Sequence, residues 1–408
     1  MPPSRHLCAL SVLAALGLAA CTETTVPDVV PPPLDAPLAS VSAGVLHSCG
    51  VTTTNQVYCW GWNRDGELGN NSTTDSRYPQ HVLGGLSFAA ATAGGGHSCG
   101  VTTTRVGYCW GFNLTGQLGD GSTASHATPL SVSSGSASFA LESVEAGGAY
   151  TCALAADSTA YCWGWDGTGQ LGAAASGSCA TSSGPTPCSR EPVALAGKFT
   201  AISAGTLHTC AIAADSTAFC WGRNGFGQLG DNSQVDATVP VAVQGGLKFT
   251  MVTVGFQHSC GLTAAGDAYC WGDNSEVQLG DPLVGSSAVP NLVPGGQVFV
   301  QLSAGAAFTC GVSVIGAGYC WGANGSGQLG SESPALCTLP SGQSLPCTPE
   351  PKLLSGGLSF TAISAGTQHS CGVTTGQVAY CWGFNDRGQL GDGSTFSSGA
   401  PIRVANQP

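Results

Sequence analysis

Residues 43–69 read AGVLHSCGVTTTNQVYCWGWNRDGELG, and residues 93–119 read AGGGHSCGVTTTRVGYCWGFNLTGQLG. The frame is Ala-Gly, two free positions, His-Ser-Cys, a turn, an aromatic residue with Cys-Trp-Gly, and then Asn-x-x-Gly-Gln-Leu-Gly. It recurs around seven cysteine pairs, each separated by ten residues: Cys49 with Cys59, Cys99 with Cys109, Cys152 with Cys162, Cys210 with Cys220, Cys260 with Cys270, Cys310 with Cys320 and Cys371 with Cys381. Seven copies of one unit of about fifty residues make this a repeat protein. The repeats fill residues 38–408, so we count one folded domain despite the length of 408 residues.

Sixty-one glycines, 8% charged residues and no sustained helical periodicity point to many short strands joined by tight turns. A unit with room for four such strands predicts an all-β propeller blade rather than a helical solenoid. If Cys49 lies opposite Cys59 in a hairpin, the turn centres on Thr54 and its loop has an odd number of residues, which calls for a left-handed third residue. Asn55, Gly266 and Gly316 suit that place, and the other copies suit it less well. Residues directly opposed in an antiparallel pair come within disulfide range.

Cysteine arithmetic supports bridges throughout. With Cys8 and Cys21 near the N-terminus set aside, 18 of the 20 cysteines remain: the seven repeat pairs, Cys179 with Cys188, and Cys337 with Cys347. Zinc is the competing reading, but isolated pairs in separate units do not supply four convergent ligands. Successive first cysteines are 50, 53, 58, 50, 50 and 61 residues apart. The two longest units carry insertions after Leu171-Gly172 and Leu329-Gly330, each with one of the extra pairs. Both read as stapled loops available for contact, or as loops protected against proteolysis.

The N-terminus reads as a signal peptide over residues 1–20, with Arg5 before an apolar stretch from Leu7 to Ala20. The motif Leu18-Ala19-Ala20-Cys21 resembles the bacterial lipobox, which implies lipidation of Cys21. Thr22, in place of the aspartate that holds many such proteins at the inner membrane, points to an outer-membrane or surface lipoprotein of the cell envelope. Residues 21–37, rich in Pro and Thr, read as an extended tether.

The repeat itself resembles that of the regulator of chromosome condensation family. That resemblance implies a seven-bladed β-propeller of four-stranded antiparallel blades, here with one disulfide per blade, which most family members lack. Because the chain opens on the Ala-Gly part of a unit and ends just after Pro401-Ile402-Arg403-Val404, we expect ring closure through one blade built from both termini. Family precedents include a nuclear exchange factor and secreted propellers that inhibit β-lactamases. Neither activity transfers from these residues.

In an up-and-down blade the first and third connections share one face. The varying residues there give the candidate binding face: Trp62, Phe112, Trp165, Arg223, Phe226, Phe256, Asp273 and Phe384. The seven repeated tryptophans read as core. His47, His97, His208, His258 and His369 share their place with Tyr150 and Phe308, which favours structural hydrogen bonding over a metal or catalytic ring. No phosphate loop, zinc-protease motif or nucleophile elbow is present. We therefore expect no enzyme, no catalytic residues, no cofactor and no metal. The net charge of −12, with 11 scattered basic residues, argues against nucleic acid. The expected protein is a monomeric, membrane-anchored, exported module that binds a protein partner. A carbohydrate-binding lipoprotein is the alternative, with an exported hydrolase more distant.

Overall fold

Each repeat pairs its strands into one antiparallel sheet, and seven sheets follow in chain order. The computed structural model describes residues 31–133, 140–331, 335–338 and 344–408. The stretch expected to be a signal peptide, and Cys21, lie outside the described residues. Blade 1 consists of β1 (Leu38–Ala43), β2 (His47–Thr52), β3 (Val57–Gly61) and β4 (Ser76–His81), paired in that order. Among the described residues there is no α-helix. Five blades have four strands. Blades 3 and 6 gain a fifth from the insertions, through the hairpins of Gly177–Thr181 with Gly184–Ala194 and of Ala335–Thr338 with Ser344–Leu353.

The hairpin reasoning holds in register. Cys49 faces Cys59 in blade 1, Cys99 faces Cys109 in blade 2, Cys152 faces Cys162 in blade 3 and Cys210 faces Cys220 in blade 4. Cys260 faces Cys270, Cys310 faces Cys320 and Cys371 faces Cys381 in the remaining three. All seven pairs are disulfide-bonded as expected, with Cα atoms 4.0–4.1 Å apart. Cys179 and Cys188, and Cys337 and Cys347, are bonded too, so the insertions carry the staples expected of them. The left-handed third turn residue occurs in every copy, including those whose residue types suit it poorly: Arg105, Ser158, Ser216 and Gln377 have φ of 60–68°, as Asn55 does at 65°. The paired register on either side dictates that conformation, so local preference yields to it.

Ring closure differs from the expectation. No blade combines the two termini: blade 7 is built wholly from Phe360–Arg403, and blade 1 from Leu38–His81. The ring closes by packing instead. Leu34, Leu38 and Trp60 share a core with Cys371, Cys381, Leu390 and Val404. The Leu34 N–H donates to the Asn406 carbonyl at 2.8 Å.

The core lies between blades. The Cys49–Cys59 bridge of blade 1 packs with Leu68, Phe88 and Trp110, the last two from blade 2. All seven repeat tryptophans are fully buried, and each indole N–H donates across the seam to the backbone carbonyl at the Gln of the previous blade's Gln-Leu-Gly. The Trp60 bond to Gln389 closes the ring at 2.9 Å; Trp110 of blade 2 bonds Glu67 of blade 1, which stands in place of Gln, at 2.8 Å. The same carbonyl also receives the hydroxyl of the Ser or Thr before the first cysteine, as Ser48 does at Gln389 and Ser98 at Glu67.

That shared carbonyl explains the histidines. With its proton committed to the carbonyl, Ser98 Oγ accepts from His47 Nε2 at 2.8 Å. His97 bonds Thr151, His208 bonds Ser259, His258 bonds Thr309 and His369 bonds Ser48 in the same way. The network therefore assigns the proton to Nε2. Tyr150 stands in the corresponding place, its hydroxyl donating to the His208 carbonyl at 2.7 Å and lying 2.8 Å from Thr209 Oγ1. Phe308 has no such group. At that seam Gln301 bonds both the N–H and the carbonyl of Ile363 from the inner strand of blade 7.

Burial holds the five imidazoles neutral, lowering His47 and His258 to about 4 and His97, His208 and His369 to about 3. Below the ordinary value of 6.5 the unfolded chain takes up protons that the native chain refuses, so acid disfavours the fold. Glu67 and Glu145, raised by burial to about 7, act in the opposite sense, as do Asp166 and Glu276, which burial also raises, but the five imidazoles outnumber these four. The urea midpoint should fall between pH 7 and pH 5. His97→Phe, which copies blade 6, should cost about 1 kcal/mol at pH 7 and reduce that fall. A midpoint that rises in acid would contradict this account.

Candidate functional site

The Ala-Gly turns form the rim of the axial opening. A Cβ at Gly44 would meet the Gly94 carbonyl oxygen at 2.6 Å, and one at Gly366 would meet that of Gly44 closer still. Successive turns approach backbone to backbone, which only glycine permits. Interblade bonds such as Val45 N–H to Gly94 O (3.1 Å) and Thr367 N–H to Gly44 O (3.2 Å) fix the rim. It encloses a mouth of about 90 Å³ lined by Ala43, Gly44, Val45 and their counterparts.

The third connections are tied to this rim. The residue after Cys-Trp-Gly donates its N–H to the last residue of its own blade's first turn: Trp62 to Leu46, Phe112 to Gly96, Trp165 to Ala149, Arg223 to Leu207, Asp273 to Gln257, Ala323 to Ala307 and Phe384 to Gln368, all at 2.8–3.0 Å. Gly61, at φ 107°, makes the approach possible, since a Cβ there would meet the Leu46 carbonyl oxygen at 2.6 Å. The seven variable positions thus stand in a ring around the mouth, on one face, with geometry set by backbone bonds.

What each position presents differs. Trp62, Phe112, Trp165, Arg223, Phe226 and Phe384 are half-buried, and Phe256 is 39% exposed. The guanidinium groups of Arg64 and Arg387 both stack over Trp62, each 4.7 Å from its ring centroid. Such stacking immobilises an aromatic side chain while leaving its edge open. Arg387 also pairs with Asp75 at 3.7 Å across the seam between blades 7 and 1. Trp165 donates its indole N–H to Thr186 Oγ1 at 2.8 Å, joining the stapled hairpin of blade 3 to the same surface. The sequence reading missed Arg64 and Arg387. Both occupy free positions of the Asn-x-x-Gly segment, and their variation between copies was the available signal.

Asp273 belongs to a different class. It is 4% exposed, and its carboxylate accepts from the Ser275 N–H and hydroxyl, Gln278 Nε2 and Ser286 Oγ. It braces its loop and offers a partner no open acceptor. The aspartates after Leu-Gly are similarly engaged: Asp120 accepts from Asn113 and Ser122, Asp231 from Asn224 and Ser233, and Asp392 from Asn385 and Ser394. Among the described residues, no group of three or more His, Cys, Asp or Glu side chains is placed to hold a metal ion.

The chain matches the model of the RCC1-like domain over residues 11–343. The regulator of chromosome condensation (RCC1) repeat matches over 316–373, 376–408 and 360–389. It is 28% identical over 233 residues to the ultraviolet-B receptor UVR8 of Arabidopsis thaliana, which covers 56% of this chain and 51% of that protein. The match thus spans about half the length of that relative. Among solved structures, Prp20p of Saccharomyces cerevisiae superimposes with a TM-score of 0.73 at 20% identity, covering 91% of this chain and 87% of that one. Human WBSCR16 gives 0.71 at 19%, covering 83% and 87%. At these identities the likeness is one of fold.

The division between presented and bracing side chains is measurable. Asp273→Ala leaves buried donors without an acceptor and should lower unfolding free energy by about 2–3 kcal/mol. Trp62→Ala and Phe384→Ala, at half-open positions, should each cost about 1 kcal/mol or less. Equal losses in urea titrations would refute the distinction.

Proposed function

This chain belongs to the RCC1-like domain family, and on that premise we propose that it is an exported, membrane-anchored binding module whose loop face engages a protein partner. The observation that carries the reading is the ring of non-identical side chains pinned around the axial mouth. Seven equivalent backbone positions carry Trp62, Phe112, Trp165, Arg223, Asp273, Ala323 and Phe384; Asp273 and Ala323 are buried, and the other five are half-open. A scaffold that repeats its frame while varying these residues suits one asymmetric partner. Rigid aromatic and arginine side chains lose little rotamer freedom on contact and are the usual anchors of protein interfaces. The described relatives agree in kind: yeast Prp20p is reported with binding to Gsp1p and histones, and its complex with Kap60 has been solved. Those partners are theirs, and ours is to be identified.

The anchor rests on Leu18-Ala19-Ala20-Cys21 and on the Pro- and Thr-rich segment that follows. The eighteen cysteines paired in nine disulfides suit an oxidising compartment, as export requires. Labelled palmitate should enter the full chain, and Cys21→Ser should abolish the incorporation. Persistent labelling of that variant would refute lipidation at Cys21.

The binding face is tested by pull-down from envelope and culture fractions, comparing the protein with its Trp62→Ala, Trp165→Ala, Phe384→Ala variant. A protein retained by the first and lost from the second supports the reading. Equal retention by both places the interface elsewhere, and glycan-array binding without a protein partner would establish the carbohydrate alternative.

A further inference from the structure

The face opposite the mouth is formed by the second and fourth connections, and its exposed aliphatic side chains gather mainly in one sector, with Leu83 and Val106 standing apart at 42% and 41%. Val298, Val300, Val314 and Ile315 of blade 6, with Leu292 and Leu353 at the ends of the outer strands of blades 5 and 6, are 41–78% exposed. The blade 6 group is continuous: the Val314 N–H donates to the Val298 carbonyl at 3.0 Å, and Val300 lies at the bulge between Phe299 and Gln301. The other blades carry polar or small residues at the places of these four. Opposite Val314 and Ile315 in the repeat stand Thr53-Thr54, Thr103-Thr104, Ala156-Asp157, Ala214-Asp215, Ala264-Ala265 and Thr375-Gly376. Where Val298 stands, blades 4 and 5 have Lys198 and Lys248. Neither core packing nor the repeat frame calls for aliphatic side chains in blade 6, since the six other blades fold without them.

The described chain enters the propeller on this same face. Leu34 N–H bonds the Asn406 carbonyl, Asn406 Nδ2 bonds the Pro31 carbonyl at 3.2 Å, and Asp35 accepts from Thr54 in the second turn of blade 1. A lipid on Cys21 is separated from Leu34 by a tether spanning at most roughly 40 Å when extended. The tether thus leaves from the face opposite the mouth, one blade away from the aliphatic sector, which keeps that face within its reach of the bilayer. We propose that this sector, Leu292, Val298, Val300, Val314, Ile315 and Leu353, rests against the lipid surface to which the chain is anchored, and so orients the binding face outward. The proposal depends on lipidation at Cys21, as read above. An apolar contact of this size is a weak membrane signal alone and an effective one beside a covalent lipid.

The test uses the full lipidated chain reconstituted into phosphatidylethanolamine and phosphatidylglycerol vesicles with brominated acyl chains. Ile315→Trp places a reporter in the sector, and Thr104→Trp places one at the equivalent turn of blade 2; emission is read against the unsubstituted chain. The proposal expects the reporter at position 315 to shift to the blue and lose roughly half its emission to bromine, with the reporter at 104 unaffected. Vesicle-bound protein in which both reporters behave alike overturns the contact while leaving the anchor intact. A blue shift at 315 that is equally present without vesicles, accompanied by dimer in sedimentation, overturns it in favour of a second copy of the chain. Failure to sediment with vesicles removes the anchor, and the proposal with it.

Discussion

The structure depends on one kind of atom: the backbone carbonyl oxygen at the Gln or Glu of each Gln-Leu-Gly. It receives the indole N–H of the next blade's tryptophan and the hydroxyl of the next blade's Ser or Thr, both buried. A carbonyl has two acceptor sites, and a buried polar group left unpaired is costly. Filling both sites from one neighbouring blade fixes distance and rotation at the seam together. The histidine then follows from the hydroxyl, since an oxygen that has given its proton away is ready to accept another. Repetition of the motif from copy to copy is therefore a geometric requirement of the ring.

The repeat made the fold legible because the same periodicity governs strands, turns and disulfides. It could not mark where a blade begins. A periodic pattern can be cut at any phase, and the choice was decided by Leu38–Ala43 pairing with His47–Thr52 within one terminus rather than across the two. The turn conformation was legible at Asn55 and hidden at Arg105 and Gln377, because register overrides residue preference there. Compensation was also hidden. Phe308 announces a missing hydrogen bond, but nothing in its neighbourhood announces that Gln301, near in space and on another strand, supplies two.

For the candidate site, position was legible and accessibility was not. Cys-Trp-Gly identifies which residue comes next to the rim, and Trp62, Trp165 and Phe384 are each tied to it by a backbone N–H. Whether a side chain there is offered to solvent depends on donors elsewhere in its loop. Ser275, Gln278 and Ser286 consume Asp273, whereas Arg223 makes no comparable set of side-chain bonds among the described residues. The guanidinium groups around Trp62 come from blades 1 and 7, and only ring closure brings them together.

The hairpin disulfides have a consequence for biogenesis. Along residues 49–381 every bond joins a cysteine to the very next cysteine in the chain, in the insertions as well as in the frame. On the export proposed above, an oxidant that pairs thiols in their order of emergence would therefore make native bonds at every step, and no bond would have to be reshuffled.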